Sequence, residues 1–315
     1  MDNCPSEIWD RIFSFACRDD GFTGRSLALV SKYMRDVSSP TRYQSLKVEG
    51  LDQMLGCARV LESTPATNRR VRYLFLSTAH PDEQEPKPST QNTLDLIKHE
   101  AQIQQAMVQL LSIVASSVQV LYVMFTFRRS LMLPAMTLPA LSELTLYGPF
   151  PDDETNQLIF EPYPSLRRLH LANIPYYPSD QRIPSIAPSL THLRVSARES
   201  DFLDFIRRLA RVIDLQDHID GTNGIIGGNQ QLKLPDTLQR ILFEPSLEQP
   251  SFGGGWFMSS YQYLLTMKEI WQVARIDDRL VVIDTRNLSR SRWSFHEAEA
   301  DWIERINGGQ GCWRF

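Results

Sequence analysis

One phrase recurs along the chain and narrows its possible folds more than any other feature. It runs apolar residue, two variable residues, leucine, one variable residue, apolar residue. It reads Val71–Leu76, Val118–Val123, Leu141–Leu146, Leu166–Leu171 and Leu190–Val195, and, with Ile241 in the leucine position, Leu238–Phe243. Between the central positions Leu74, Leu121, Leu144, Leu169, Leu193 and Ile241 the steps are 47, 23, 25, 24 and 48 residues. The long steps are twice the short ones, so one degenerate unit is expected inside each. Proline stands two or three residues before several phrases, at Pro139, Pro164, Pro188 and Pro235. Proline lacks an amide donor and sits comfortably just ahead of a strand, where it also stops a helix running in. Each phrase is therefore expected as a short strand. An antiparallel sheet with coincidental spacing is the competing reading, and a constant period argues against it.

A period near 24 with this phrase is similar to a leucine-rich repeat. The expected fold class is α/β. An irregular leucine-rich-repeat solenoid would fill residues 49–290, with parallel strands on a concave face and helices and loops outside. Apolar spacing predicts a helix over residues 94–115, with Ile97, Ala101, Val108, Leu111 and Ala115 on its stripe, and another over 201–213. Residues 77–93 are proline-rich and polar and read as a mobile loop, and Gly221, Gly224, Gly227, Gly228 and Gly253–Gly255 mark others. Tyr261–Arg275 reads as a helix, Arg279–Ile283 as a strand and Phe295–Ile306 as a last helix, stopped by Gly308 and Gly309. Residues 291–315 are expected to cap the open end of the sheet through Trp302, Ile303 and Ile306, and Leu46, Val48 and Leu51 to shield the other end.

The N-terminal stretch Pro5–Phe15, followed by Leu27–Lys32, implies two short helices with apolar faces too wide for so small a unit to bury. Pro5, Glu7, Ile8, Ile12, Phe13, Leu27, Leu29, Val30 and Lys32 follow in order and spacing the pattern Leu-Pro-x-Glu-Ile, Ile-Phe, Leu-x-Leu-Val-Cys-Lys. On these residues 1–48 resemble an F-box, a three-helix module that docks a substrate receptor onto the Skp-type adaptor of a cullin–RING ubiquitin ligase. Cys4 stands where leucine is usual, Ser31 where cysteine is, and Met34 where an aromatic is; the linker Arg18–Gly24 is longer than the common form. The resemblance implies that Pro5, Ile8, Trp9, Ile12, Leu29 and Val30 face the adaptor. The alternative reading makes them core residues of a small three-helix bundle. The tail Gly308–Trp313 resembles the ending of fungal F-box proteins with repeat bodies.

Composition excludes several classes. With 42% hydrophobic residues over 315 positions the chain can bury a large core, and a net charge of −4 without charge runs gives no footprint for nucleic acid. No stretch approaches a membrane span or a signal peptide. Cys4, Cys17, Cys57 and Cys312 form no Cys-x-x-Cys pair, so reduced thiols and a cytoplasmic or nuclear setting are expected. The six histidines show no metal-ligand spacing, and neither a phosphate loop nor a nucleophile elbow occurs. No cofactor, metal or catalytic residue is expected. Such a receptor supplies proximity alone.

Side chains alternate along strands, so the residues between the leucines should line one exposed face. Tyr73, Phe75, Tyr122 and Tyr147 would anchor an apolar part of a target protein there. Arg168, His170, His192, Arg194 and Arg240, with the histidines protonated, would meet an acidic or phosphorylated stretch. The expected function is the substrate-recognition subunit of a Skp–cullin–F-box ligase. The alternative is a leucine-rich-repeat interaction scaffold without ligase association.

Overall fold

All six phrases form strands, and their leucines explain why: Leu74, Leu76, Leu121, Leu144, Leu146, Leu169, Leu171 and Leu193 are essentially inaccessible to solvent. In the computed structural model the described residues are 5–78, 93–125, 131–148, 162–172, 182–197, 235–245, 256–283 and 294–314. They form two compact units of α/β type, each with parallel strands and helices. The first comprises Met1–Tyr147 with Ser294–Arg314, and the second Gly148–Trp293. One break, at 293/294, lies beside the boundary expected at 290, none falls at 48, and the C-terminal segment belongs with the N-terminal half.

In the first unit β1 (Ser45–Glu49), β2 (Tyr73–Ser77), β3 (Val120–Met124) and β4 (Glu143–Tyr147) pair in parallel and in chain order. In the second, β5 (Arg168–Ala172), β6 (His192–Ala197), β7 (Arg240–Pro245) and β8 (Leu280–Val282) do the same. The register aligns the central positions: Leu74 beside Leu121, Leu121 beside Leu144, and Leu193 beside Ile241. That register corrects the expected degenerate units. β2 pairs directly with β3 and β6 with β7, so no strand stands between the members of either pair in the sheet. Leu46 and Val48 are corrected as well, since they lie within β1, paired to β2.

The 47-residue step is instead lengthened by α5 (Thr93–Val114), after α4 (Gly50–Ser63) in the preceding crossing. The two helices pack together, α4 burying Met54, Ala58 and Leu61. From α5 the buried residues are Ile103, Ala106, Met107, Leu110, Leu111 and Val114, whereas Ile97, Ala101 and Val108 are exposed. The expected stripe was thus rotated. Apolar residues surround most of this helix, and the face it buries is chosen by its neighbours. The helix expected over 201–213, the glycine loops and nearly all of the loop 77–93 lie outside the described residues.

The N-terminal residues form α1 (Ser6–Ala16), α2 (Phe22–Val30) and α3 (Lys32–Ser38). Asp19 and Asp20 start α2 by accepting from the amides of Gly21, Phe22 and Thr23, each at 2.9 Å. Helix therefore begins at Phe22 and the linker is shorter than the sequence implied. Gly24 allows a close approach, for a β-carbon there would lie 2.1 Å from the carbonyl oxygen of Arg42. Ser31 caps α3 by accepting from the Met34 amide at 3.1 Å, which gives the residue standing in place of cysteine a structural task. In the second unit, α6 (Arg182–Ile186) and α7 (Trp256–Ile276) accompany the strands. The last helix is α8 (Phe295–Ile306), with the expected bounds; Ser294 and Glu297 form a reciprocal capping box at its start. No helix among the described residues is long and apolar enough to cross a membrane.

The rotated face of α5 can be tested. Met107→Ala should destabilise the protein by about 2–5 kcal/mol, as expected of a deeply buried site, and Ile97→Ala by less than about 0.5 kcal/mol. Denaturant unfolding of both variants measures the contrast.

Candidate protein-docking site

On α1, Ile8, Ile12 and Phe15 recur at i, i+4 and i+7 and so share one face. They are 49%, 46% and 57% exposed. On α2, Phe22 and Leu29 share a face seven residues apart, followed by Val30; these are 66%, 81% and 67% exposed. Pro5 is exposed too, and Tyr33 on α3 adds an exposed ring. The core of the module is small. It consists chiefly of Phe13 and Cys17, with half-buried Trp9 stacked on Phe13 at 5.3 Å between ring centroids. Burial, helped by nearby Asp19, pushes the Cys17 thiol up to about 11, so this thiol is inert packing. Of the six residues with two readings, Pro5, Ile8, Ile12, Leu29 and Val30 point to solvent, and Trp9 alone serves partly as core. Phe15, Phe22 and Tyr33 were missed. Phe15 carries a legible signal, since it continues the helical spacing of Ile8 and Ile12.

The module is anchored at its other side. Gln44 Nε2 donates to the Ser14 carbonyl at 2.7 Å, Ser45 Oγ to the Asp19 carbonyl, and Asn307 Nδ2 to the Arg18 carbonyl at 3.2 Å. These bonds fix the helices to β1 and to the end of α8 while leaving the apolar row uncovered.

The strand face expected to be open is covered. In the first unit α8 and the turn after it cross all four strands. Lys47 Nζ on β1 bonds Glu299 at 2.6 Å; burial works against its charge, but Glu299 and Glu49 outweigh it and raise its proton affinity. Phe75 on β2 meets Phe295 edge-on at 5.3 Å and Trp302 at 5.5 Å. Tyr122 Oη on β3 lies 3.6 Å from Cys312 Sγ. Glu143 on β4 accepts from Arg305 Nε at 2.7 Å and from Trp313 Nε1 at 2.8 Å. Gly311 permits the fold-back, for at φ 55° a β-carbon would sit 2.5 Å from the Asp301 carbonyl oxygen. The expected anchors Phe75 and Tyr122 are consequently fully buried, and Tyr73 and Tyr147 half-buried. Trp302 and Ile306 do cover apolar surface, but it is the face of the strands and not the end of the sheet. Aromatic rings on one face need an apolar lid, and the C-terminal helix supplies two rings of its own.

The cationic end is also engaged. Arg194 Nη2 donates to Glu244 Oε2 at 2.8 Å, and Ser196 Oγ donates to the same oxygen at 2.6 Å. His170 Nε2 lies 2.9 Å from Ser196 Oγ. Arg194 and His170 are buried; Arg168, His192 and Arg240 are half-buried. Both histidines are disfavoured as cations: burial, then the charge of Arg194, holds His170 well below its usual pKa. Burial, then Arg168 and Arg240, also lower the His192 pKa. A serine beside a histidine invites a nucleophile reading. Here the serine proton goes to Glu244 and the imidazole has no access to solvent, so the trio ties strands together.

No family model matches the chain, and no curated protein matches it.

Two measurements test the covered faces. Arg305→Ala removes the cation from a carboxylate only 2% exposed and should cost about 3–5 kcal/mol in denaturant unfolding. Pairing it with Glu143→Gln should recover much of that loss. His170 binds its proton more weakly folded than unfolded, so the unfolded chain takes up protons first as pH falls. Stability should be full above the ordinary value of 6.5 and decline below it, by up to about 1.4 kcal/mol per pH unit. The difference in melting midpoint between the wild-type chain and His170→Gln should shrink over the same range.

Proposed function

We propose that the N-terminal helices dock a Skp-type adaptor and that the chain is the substrate-recognition subunit of a Skp–cullin–F-box type ubiquitin ligase. The observation that carries this reading is the apolar row on α1 and α2. Among the described residues, seven of the fourteen large apolar side chains exposed to solvent fall between Ile8 and Tyr33. Burying one such side chain is worth roughly 1.5–3 kcal/mol, so a row of them left in water favours a protein partner. Ile8, Ile12, Leu29 and Val30 of the row, and exposed Pro5, belong to the F-box pattern.

The strands and their crossings, read as a leucine-rich-repeat body, are the receptor's other half. Ligase chemistry belongs to the assembled complex in this reading, and the chain contributes geometry. Target capture is not assigned to Phe75, Tyr122, His170 or Arg194, which are buried.

Ile8→Asp and Leu29→Asp place a charge at exposed sites, so each variant should fold with an unchanged melting midpoint. Each should lose co-purification with a Skp-type adaptor and cullin, the affinity falling by at least about a hundredfold, the usual reach of a central interface residue. Adaptor capture at wild-type level by both variants would favour the interaction-scaffold reading.

A further inference from the structure

The helix α7 has two contrasting faces. Met267, Ile270 and Val273 are buried. On the opposite side Leu264, Lys268, Trp271 and Arg275 recur at i, i+4, i+7 and i+11, within an arc of about 60°. Leu264 is 64% and Trp271 42% exposed, and Lys268 and Arg275 are exposed between and beyond them. Leu265, Gln272 and Ile276 lie about 100° around from this row and are exposed as well. The surface thus alternates apolar, cationic, aromatic and cationic over three turns. No acid interrupts it: Glu269 stands off the row and is half-buried, and Asp278 lies past the helix end.

We propose that this face of α7 is the target-docking surface, and that it takes an acidic amphipathic segment of a protein, with an aliphatic or aromatic anchor flanked by carboxylates. The inference rests on the receptor reading above and names the class of its target. Charge complementarity selects the occupant. Two cations four and three residues from Trp271 repel a basic segment and leave carboxylates well placed along the row. Trp and Arg are the residue types that dominate binding energy at interfaces, and here they stand in solvent on one regular element. A helix packed on one side and apolar-cationic on the other suits a partner helix or extended strand laid along it. The covered strand face gives a second reason, since Phe75, Tyr122 and Arg194 are spent within the fold.

The probe is a fluorescein-labelled peptide built of Asp, Glu, Leu and Phe in helical amphipathic order, titrated against the full chain. The expected result is saturable binding that weakens with salt and falls at least about tenfold in Lys268→Glu/Arg275→Glu and in Trp271→Ala. Lys268→Gln/Arg275→Gln, which removes charge without adding repulsion, should fall by less and guards against a folding defect. Unchanged affinity in these variants, or no saturable binding by the wild-type chain, overturns the proposal. So does Trp271-dependent adsorption to phosphatidylserine vesicles in place of the peptide, which would make the face a membrane contact. Adaptor co-purification is scored in the same preparations. The α7 variants should keep it, and Ile8→Asp should lose it while still binding peptide, so the two readings fail separately.

Discussion

The first unit depends on one burial event, the closing of a C-terminal helix over an aromatic strand face. Phe75, Tyr122, Trp302 and Trp313 each sit at 3% exposure or less. An aromatic side chain buries about 150–250 Å², which at about 25 cal/mol/Å² amounts to roughly 4–6 kcal/mol per ring as an upper figure. A hydrogen bond contributes about 1 kcal/mol net, and more where one partner is charged. Apolar burial therefore drives the closure, and the polar contacts direct it. Glu143 fixes the tail in place by accepting from both Arg305 and Trp313, and Lys47 with Glu299 sets the other end. The unit is discontinuous in sequence for this reason: residues 5–147 leave a face that only residues 294–314 complete.

The closure also sorts the apolar surface. The strands of the first unit bury Phe75 and Tyr122 internally, and the second unit ties polar residues into the Arg194–Glu244–Ser196–His170 set. Exposed apolar residues are left concentrated on helices, at α1 and α2 and again at α7. Short helices with a core of little more than Phe13 and Cys17 cannot hide Ile8, Ile12 and Leu29 as well. The proposed receptor role follows from that shortage, and the docking assignments shift from strands to helices.

Much of the framework was legible in the residues. The leucine phrase located six strands and their direction of pairing, because a side chain every second position must face a core and a constant step must be crossed the same way. Gly308 and Gly309 marked the stop of the last helix, whose bounds Phe295–Ile306 were legible. Less legible was what covers each face. The strand at Ser45–Glu49 and the direct pairing of strands across each doubled step needed the register, since Leu46 and Val48 alone do not make the phrase. The buried stripe of α5 was misjudged because Ile97 and Val108 are as apolar as Ile103 and Leu110, and only packing against α4 distinguishes them.

Local chemistry written in the chain thus determined where strands and helices form, how the strands step, and which residues on α1 and α2 are apolar beyond the needs of so small a module. Tertiary structure alone decided that Phe75 and Tyr122 are interior, that Glu143 meets Arg305 across 162 positions, and that His170 is neutral. The physical reason is that periodicity reports which side of an element a residue occupies. Whether that side meets water or another part of the chain depends on segments distant in sequence, and their arrival sets both burial and charge.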